Sequence, residues 1–125
     1  MAKNLKVLMV SEYFSPKIFG GGEISAYYIA RNLANEGLDV SVLTSYFKNL
    51  KRFEISDDVK IYRRVKTGES PESFYSNLKR AFIFPDSLRR ELVKLDKREN
   101  FDIIHCMNIN SIFAVKVKEK IKNRL

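Results

Sequence analysis

The chain has 125 residues, 45% of them apolar, with one cysteine and one histidine. That is the size of a single domain with a proper core. It excludes an internal disulfide and a multi-cysteine zinc site, makes a structural metal unexpected, and fits a reducing, cytoplasmic setting. Lys and Arg outnumber Asp and Glu 23 to 15, a net charge of +8, which admits phosphorylated substrates, anionic lipid headgroups and nucleic acid as partners.

The N-terminus, MAKNLKVLMV, lacks the long apolar stretch and small-residue cleavage site of a signal peptide and reads as a first strand. No apolar run approaches the roughly 18 residues of a spanning helix. Residues 5–10, LKVLMV, are nearly all apolar, as in a strand buried on both faces. Residues 11–21 form a loop punctuated by Pro16 and the glycines. A helix follows over residues 23–36, with Ala26, Ile29, Ala30 and Leu33 on one face and Gly37 as a left-handed cap.

Residues 39–44, DVSVLT, make a second strand. A polar stretch leads to a third near 59–64 and then to a turn-rich linker over 66–72. Two helices share residues 73–98, split near Pro85. Phe74, Leu78 and Phe82 stripe the first; Leu88, Leu92 and Leu95 stripe the second, with Asp86 or Ser87 as its cap. Residues 102–106, DIIHC, form another strand, with Cys106 packed in the core. A last helix runs from about 111 with Phe113, Val117 and Ile121 on one face. This alternation predicts a three-layer α/β/α, Rossmann-like parallel sheet. Ligands of such sheets bind at the carboxyl ends of strands, here at the loops 11–22 and 106–111.

Gly20, Gly21 and Gly22 sit where the first strand's loop enters the helix. Gly20 and Gly22 supply G-x-G, but Ser25 occupies the third glycine position of the dinucleotide fingerprint, and Glu23 follows where a phosphate loop requires lysine. What remains is a backbone able to approach a ligand or take positive φ, and a helix N-terminus that attracts anions. The plain alternative is a surface loop that caps the helix. Glu23 suits the helix dipole and is better placed to accept hydrogen bonds from sugar or polyol hydroxyls than to face a phosphate.

The stretch KVLMVSEYFSPKIFGGGEISAYYIARNLANEGLDVSVLT resembles the opening of family 4 glycosyltransferases of the GT-B fold: proline in the loop, G-G-x-E, a long helix ending before a glycine, and a strand ending in threonine. RENFDIIHCMNINSIFA resembles the family's later strand and helix. The resemblance implies retaining transfer of a hexose from a nucleotide-sugar, as substrate and with no cofactor, to a sugar, polyol or lipid-linked acceptor. Residues 1–125 would be the acceptor-side N-terminal domain, its glycine loop near the donor phosphates. The C-terminal nucleotide-sugar domain, with its E-x7-E pair, is expected to lie outside this chain, which alone would be inactive.

The family often carries H-x-H at the later strand end. Here His105 matches the first position and Met107 the second, and a thioether cannot donate a strong hydrogen bond or exchange a proton. His105 and Asn108, with Asn110 beside it, remain candidates for the opposite wall. The basic, aromatic-edged helices over 74–98 add an anionic membrane surface on the cytoplasmic face to the expected partners. Nucleic acid is not expected, because no recognition module is visible and the charge is not concentrated. A non-catalytic α/β binding or regulatory domain, or a basic nucleotide- or nucleic-acid-binding module, stays open on the residues alone.

Overall fold

A computed structural model of the protein describes residues 5–18, 20–67 and 74–107. The element order is β1 (Lys6–Val10), α1 (Gly21–Asn35), β2 (Asp39–Ser45), β3 (Phe53–Ser56), β4 (Val59–Val65), α2 (Phe74–Phe82), α3 (Phe84–Glu99) and β5 (Ile103–Cys106). The predicted last helix, with Phe113, Val117 and Ile121, lies outside the described residues.

The sheet order is β3-β4-β2-β1-β5. β1 pairs in parallel with β2 and β5, and β2 with β4. β1 is apolar because it is covered twice. Val7 and Met9 join Ala26 and Ala30 of α1 in one cluster, whereas Leu8 and Val10 join Leu88, Leu92 and Leu95 of α3 in the other. The expected three-layer, Rossmann-like architecture is therefore present, with one correction: β3 runs antiparallel to β4. Asp57 and Asp58, both at positive φ, make the two-residue turn between them, a conformation whose twist suits a tight hairpin.

The helices follow the predicted pattern with two corrections, on α1 and α3. On α1 the buried positions are Ala26 and Ala30, with Leu33 packed beside them, but Ile29 is exposed. Two alanines at i and i+4 let the helix lie close to the sheet, so the contact stripe is too narrow to reach Ile29. Gly37 does cap the helix: its φ is 92° and its N–H donates to the Ala34 carbonyl. On α2 the predicted stripe is present but open, with Phe74 78% and Phe82 74% exposed and Leu78 exposed as well. On α3 neither Asp86 nor Ser87 is the cap. The helix begins after Ile83, with Pro85 in its first turn, where no backbone donor is missed. Asp86 instead pairs with Arg90 at 2.9 Å, and Ser87 Oγ accepts the Lys66 N–H at 2.9 Å.

The other end of α3 sets β5. Asn100 takes a left-handed φ of 58° and donates its N–H to the Asp96 carbonyl. The buried Asp96 carboxylate accepts the Phe101 N–H at 3.0 Å, and Asp102 accepts the Lys6 N–H at 2.9 Å. Cys106 is half-buried and packs against the α3-side core.

Two substitutions separate the true core from the apparent one. Leu92→Ala should lower unfolding free energy in urea by about 2–5 kcal/mol, whereas Ile29→Ala should change it by less than about 1 kcal/mol.

Candidate functional site

The loop after β1 is irregular but not a loose surface turn, because Ser11, Glu12, Tyr13 and Phe14 are all buried. Tyr13 stacks on Phe47 at 5.7 Å, and Phe14 packs into the α1-side core. The Glu12 carbonyl accepts the Ser45 N–H at 3.3 Å, and its carboxylate accepts the Thr67 hydroxyl at 2.7 Å. A cis Ser15–Pro16 bond lies in the turn in which the Lys17 N–H donates to the Phe14 carbonyl.

Arg63 holds this loop to the sheet. Its side chain is buried on β4, and its guanidinium pairs with Glu54 of β3 at 2.7 Å. It also donates to the carbonyls of Lys51 and Ser15, each at 3.0 Å. One cation thus ties the strand hairpin, its preceding turn and the approach to the glycines together.

Gly20 is the N-cap of α1, and Gly21, Gly22 and Glu23 form its first turn. The Glu23 carboxylate accepts the Gly20 N–H at 2.7 Å. This is the half of a capping box that a glycine N-cap permits. Glu23 therefore caps the helix in this structure. The first-turn N–H groups of Gly21 and Gly22 have no intrahelical acceptor. Among the described residues only Gly37 is a glycine with positive φ, and Gly20 is extended with φ −170°. The three glycines are not required by backbone conformation. A Cβ on Gly21 or Gly22 would meet nothing within 4 Å, so packing within these residues does not require them either. Their distinguishing property is the open space they leave at the carboxyl edge of the sheet.

His105 pairs with Met9 in register and so shares the face of the sheet covered by α1, where it is exposed. Met107 lies just beyond β5, donates its N–H to the Val10 carbonyl at 2.9 Å and packs against the α1-side core. Thus the methionine at the family's second histidine position belongs to the cluster that contains Phe14 and Ala26, while His105 sits lower on the strand. No hydrogen bond or ion pair joins His105 to the glycine turn among the described residues. Asn108 and Asn110 lie outside the described residues.

Sequence reasoning passed over Arg63, Glu12 and Thr67. A signal for Arg63 existed: it follows Ile61 by two, the parity of the buried face. The hydroxyl of Tyr27 donates to the Asp57 carboxylate, which raises the phenol pKa above its usual value and links α1 to the β3–β4 turn.

An open, glycine-led helix N-terminus at the carboxyl edge of a doubly covered, mostly parallel sheet defines a Rossmann-like domain. The model of glycosyltransferase family 4 matches residues 19–123, and the chain belongs to that family. Comparison with curated proteins by sequence finds no match. Among solved structures, sucrose-phosphate synthase from Thermosynechococcus elongatus is similar at a TM-score of 0.73 and 16% identity, over 94% of this chain and 31% of that one. A glycosyltransferase from Rickettsia africae is similar at 0.54 and 15% identity, over 98% of this chain and 28% of that one. This chain therefore spans about a third or less of either.

Because neither glycine conformation nor packing needs the missing side chains, Gly21→Ala and Gly22→Ala should leave the fold intact. Each should raise unfolding free energy by about 0.4–1 kcal/mol by restricting the unfolded chain, measured by thermal or urea denaturation.

Proposed function

We propose that this chain forms the acceptor-side half of a retaining glycosyltransferase that moves a hexose from a nucleotide-sugar to a hydroxylated acceptor. The observation that supports this best is the space that the described residues leave over Gly21 and Gly22 at the N-terminus of α1, within a chain of family 4. Two amide donors and the positive end of a helix dipole suit a donor phosphate. The nucleotide-sugar itself supplies the leaving group, and the mechanism calls for no further cofactor. Glu23, by holding the Gly20 N–H, keeps the helix start in place. Reaching an acceptor hydroxyl with the same carboxylate would require it to share that bond. His105 and Asn108 are assigned to the opposite wall as substrate contacts.

On this reading the nucleotide-sugar is gripped by a second domain carrying the acidic pair, and residues 1–125 do not catalyse transfer alone. The limited share of the similar chains that this one spans supports that division. The test is transfer by the complete protein, with the anomeric configuration of the product followed by NMR. Gly21→Val should abolish transfer, because its side chain would occupy the space left for the phosphate. Unchanged turnover would remove the glycine turn from the reaction.

A second reading, attachment to an anionic cytoplasmic membrane surface, is favoured by α2. Phe74, Tyr75 and Phe82 are each at least 67% exposed, a large apolar display for a monomeric surface. No helix among the described residues is long and apolar enough to cross a membrane, so the contact would be interfacial. The protein should sediment with vesicles containing anionic lipid at low salt and lose that association when Phe74 and Phe82 are both changed to Ser. Equal partition to neutral and anionic vesicles would refute it.

A further inference from the structure

A second pocket opens at the same carboxyl edge of the sheet, on the side away from α1. It measures about 210 Å³ and is lined by Tyr46, Arg52, Arg64, Lys66, Thr67 and Ile83. A single water needs only about 10–15 Å³, so there is room for a group of several atoms. Three of the six lining residues are cations, and no carboxylate lies within 4 Å of any of them among the described residues. Some basic residues elsewhere are paired instead. Lys6, Lys60, Arg63 and Arg90 each have a carboxylate between 2.7 and 3.6 Å away.

The cations are also arranged by their neighbours. Arg52 stacks over the Tyr46 ring at 4.1 Å, and Arg64 over the Tyr62 ring at 5.1 Å. Each guanidinium is thus steadied on an aromatic face while its N–H edge stays available for an oxyanion. The Lys66 N–H is committed to Ser87 Oγ, which fixes the backbone that carries the ammonium. Thr67 is different. Its hydroxyl proton is given to the buried Glu12 carboxylate, so toward the pocket its oxygen can only accept. The pocket therefore offers cations for an anion and, beside them, an acceptor for a ligand hydroxyl.

We infer that this pocket binds a phosphate monoester on a hydroxylated small molecule, the phosphate held by Arg52, Arg64 and Lys66 and a neighbouring hydroxyl donating to Thr67. A phosphate takes the planar N–H forks of two arginines and the point charge of a lysine together. If the sugar-transfer reading holds, this ligand is the acceptor, and the inference rests on that reading for this role only. Binding stands independently of it.

The test is calorimetric titration of the protein with inorganic phosphate, glucose 6-phosphate and glucose, and sedimentation with phosphatidylcholine vesicles with and without phosphatidic acid. Saturable binding is expected for phosphate and glucose 6-phosphate, tighter for the latter, and none for glucose. Arg52→Gln, Arg64→Gln and Lys66→Gln should each weaken it about tenfold or more, the equivalent of losing one hydrogen bond to a charged group. Arg31→Gln on α1 should leave it unchanged. These cations are surface side chains, and an unchanged melting temperature will show that the variants fold. Absence of phosphate binding, binding indifferent to all three Gln changes, or binding confined to phosphatidic acid vesicles would each overturn the inference. Phosphate binding without sugar transfer by the complete protein would sink the enzymatic reading and leave the pocket standing; transfer by its triple Gln variant at the wild-type KM for a phosphorylated acceptor would do the reverse.

Discussion

The architecture around the glycine turn depends on one buried cation. Taking a guanidinium out of water is costly, and a protein keeps it only where a counter-charge and further acceptors replace the lost hydration. Arg63 has such a set in the Glu54 carboxylate and the carbonyls of Lys51 and Ser15. Those acceptors lie on segments that otherwise share little: an antiparallel edge strand, the turn before it and the loop leading to α1. Because the charge must be satisfied, these segments are held at fixed positions relative to β4. One atom escapes this accounting: Arg63 Nε is buried and has no hydrogen-bond partner among the described residues.

The consequence is an open helix start on a rigid base. Tyr13 and Phe14 are buried ahead of the turn and Ala26 and Ala30 behind it, so the backbone from Ser11 to the helix is anchored on both sides of the glycines. Between these anchors no described residue would come within 4 Å of a Cβ on Gly21 or Gly22. A site for a phosphate needs that combination, since donors that are already in place cost little to organise when the ligand arrives. The basic pocket on the α3 side is built on the same edge, its Thr67 tied through Glu12 to the loop after β1.

Much of this was legible in the residues, and the failures have physical causes. LKVLMV announced a doubly buried strand, and Leu88, Leu92 and Leu95 announced the face of α3, because burial writes itself as unbroken apolarity or as a helical period. Gly37 was legible because only a left-handed cap calls for glycine there. The edge strand β3 was missed because its residues are mostly exposed and its turn is Asp-Asp instead of Asn-Gly. The stripe on α2 was legible as a helical face, but helical spacing says that an apolar face exists and not what covers it. At the site, the glycines and Glu23 were placed correctly at the helix start, but the reasons differed. Positive φ is not used, and Glu23 serves as a cap. The partners of Arg63 and the basic pocket were invisible since each depends on residues brought together from separate strands.

The most direct test of the central claim is a structure of the complete protein with a nucleotide-sugar bound. The account predicts that donor phosphate oxygens lie within about 2.7–3.2 Å of the Gly21 and Gly22 amide nitrogens, with Arg63 still bridging Glu54 and the Ser15 carbonyl. A donor bound with both amides left facing solvent would contradict it.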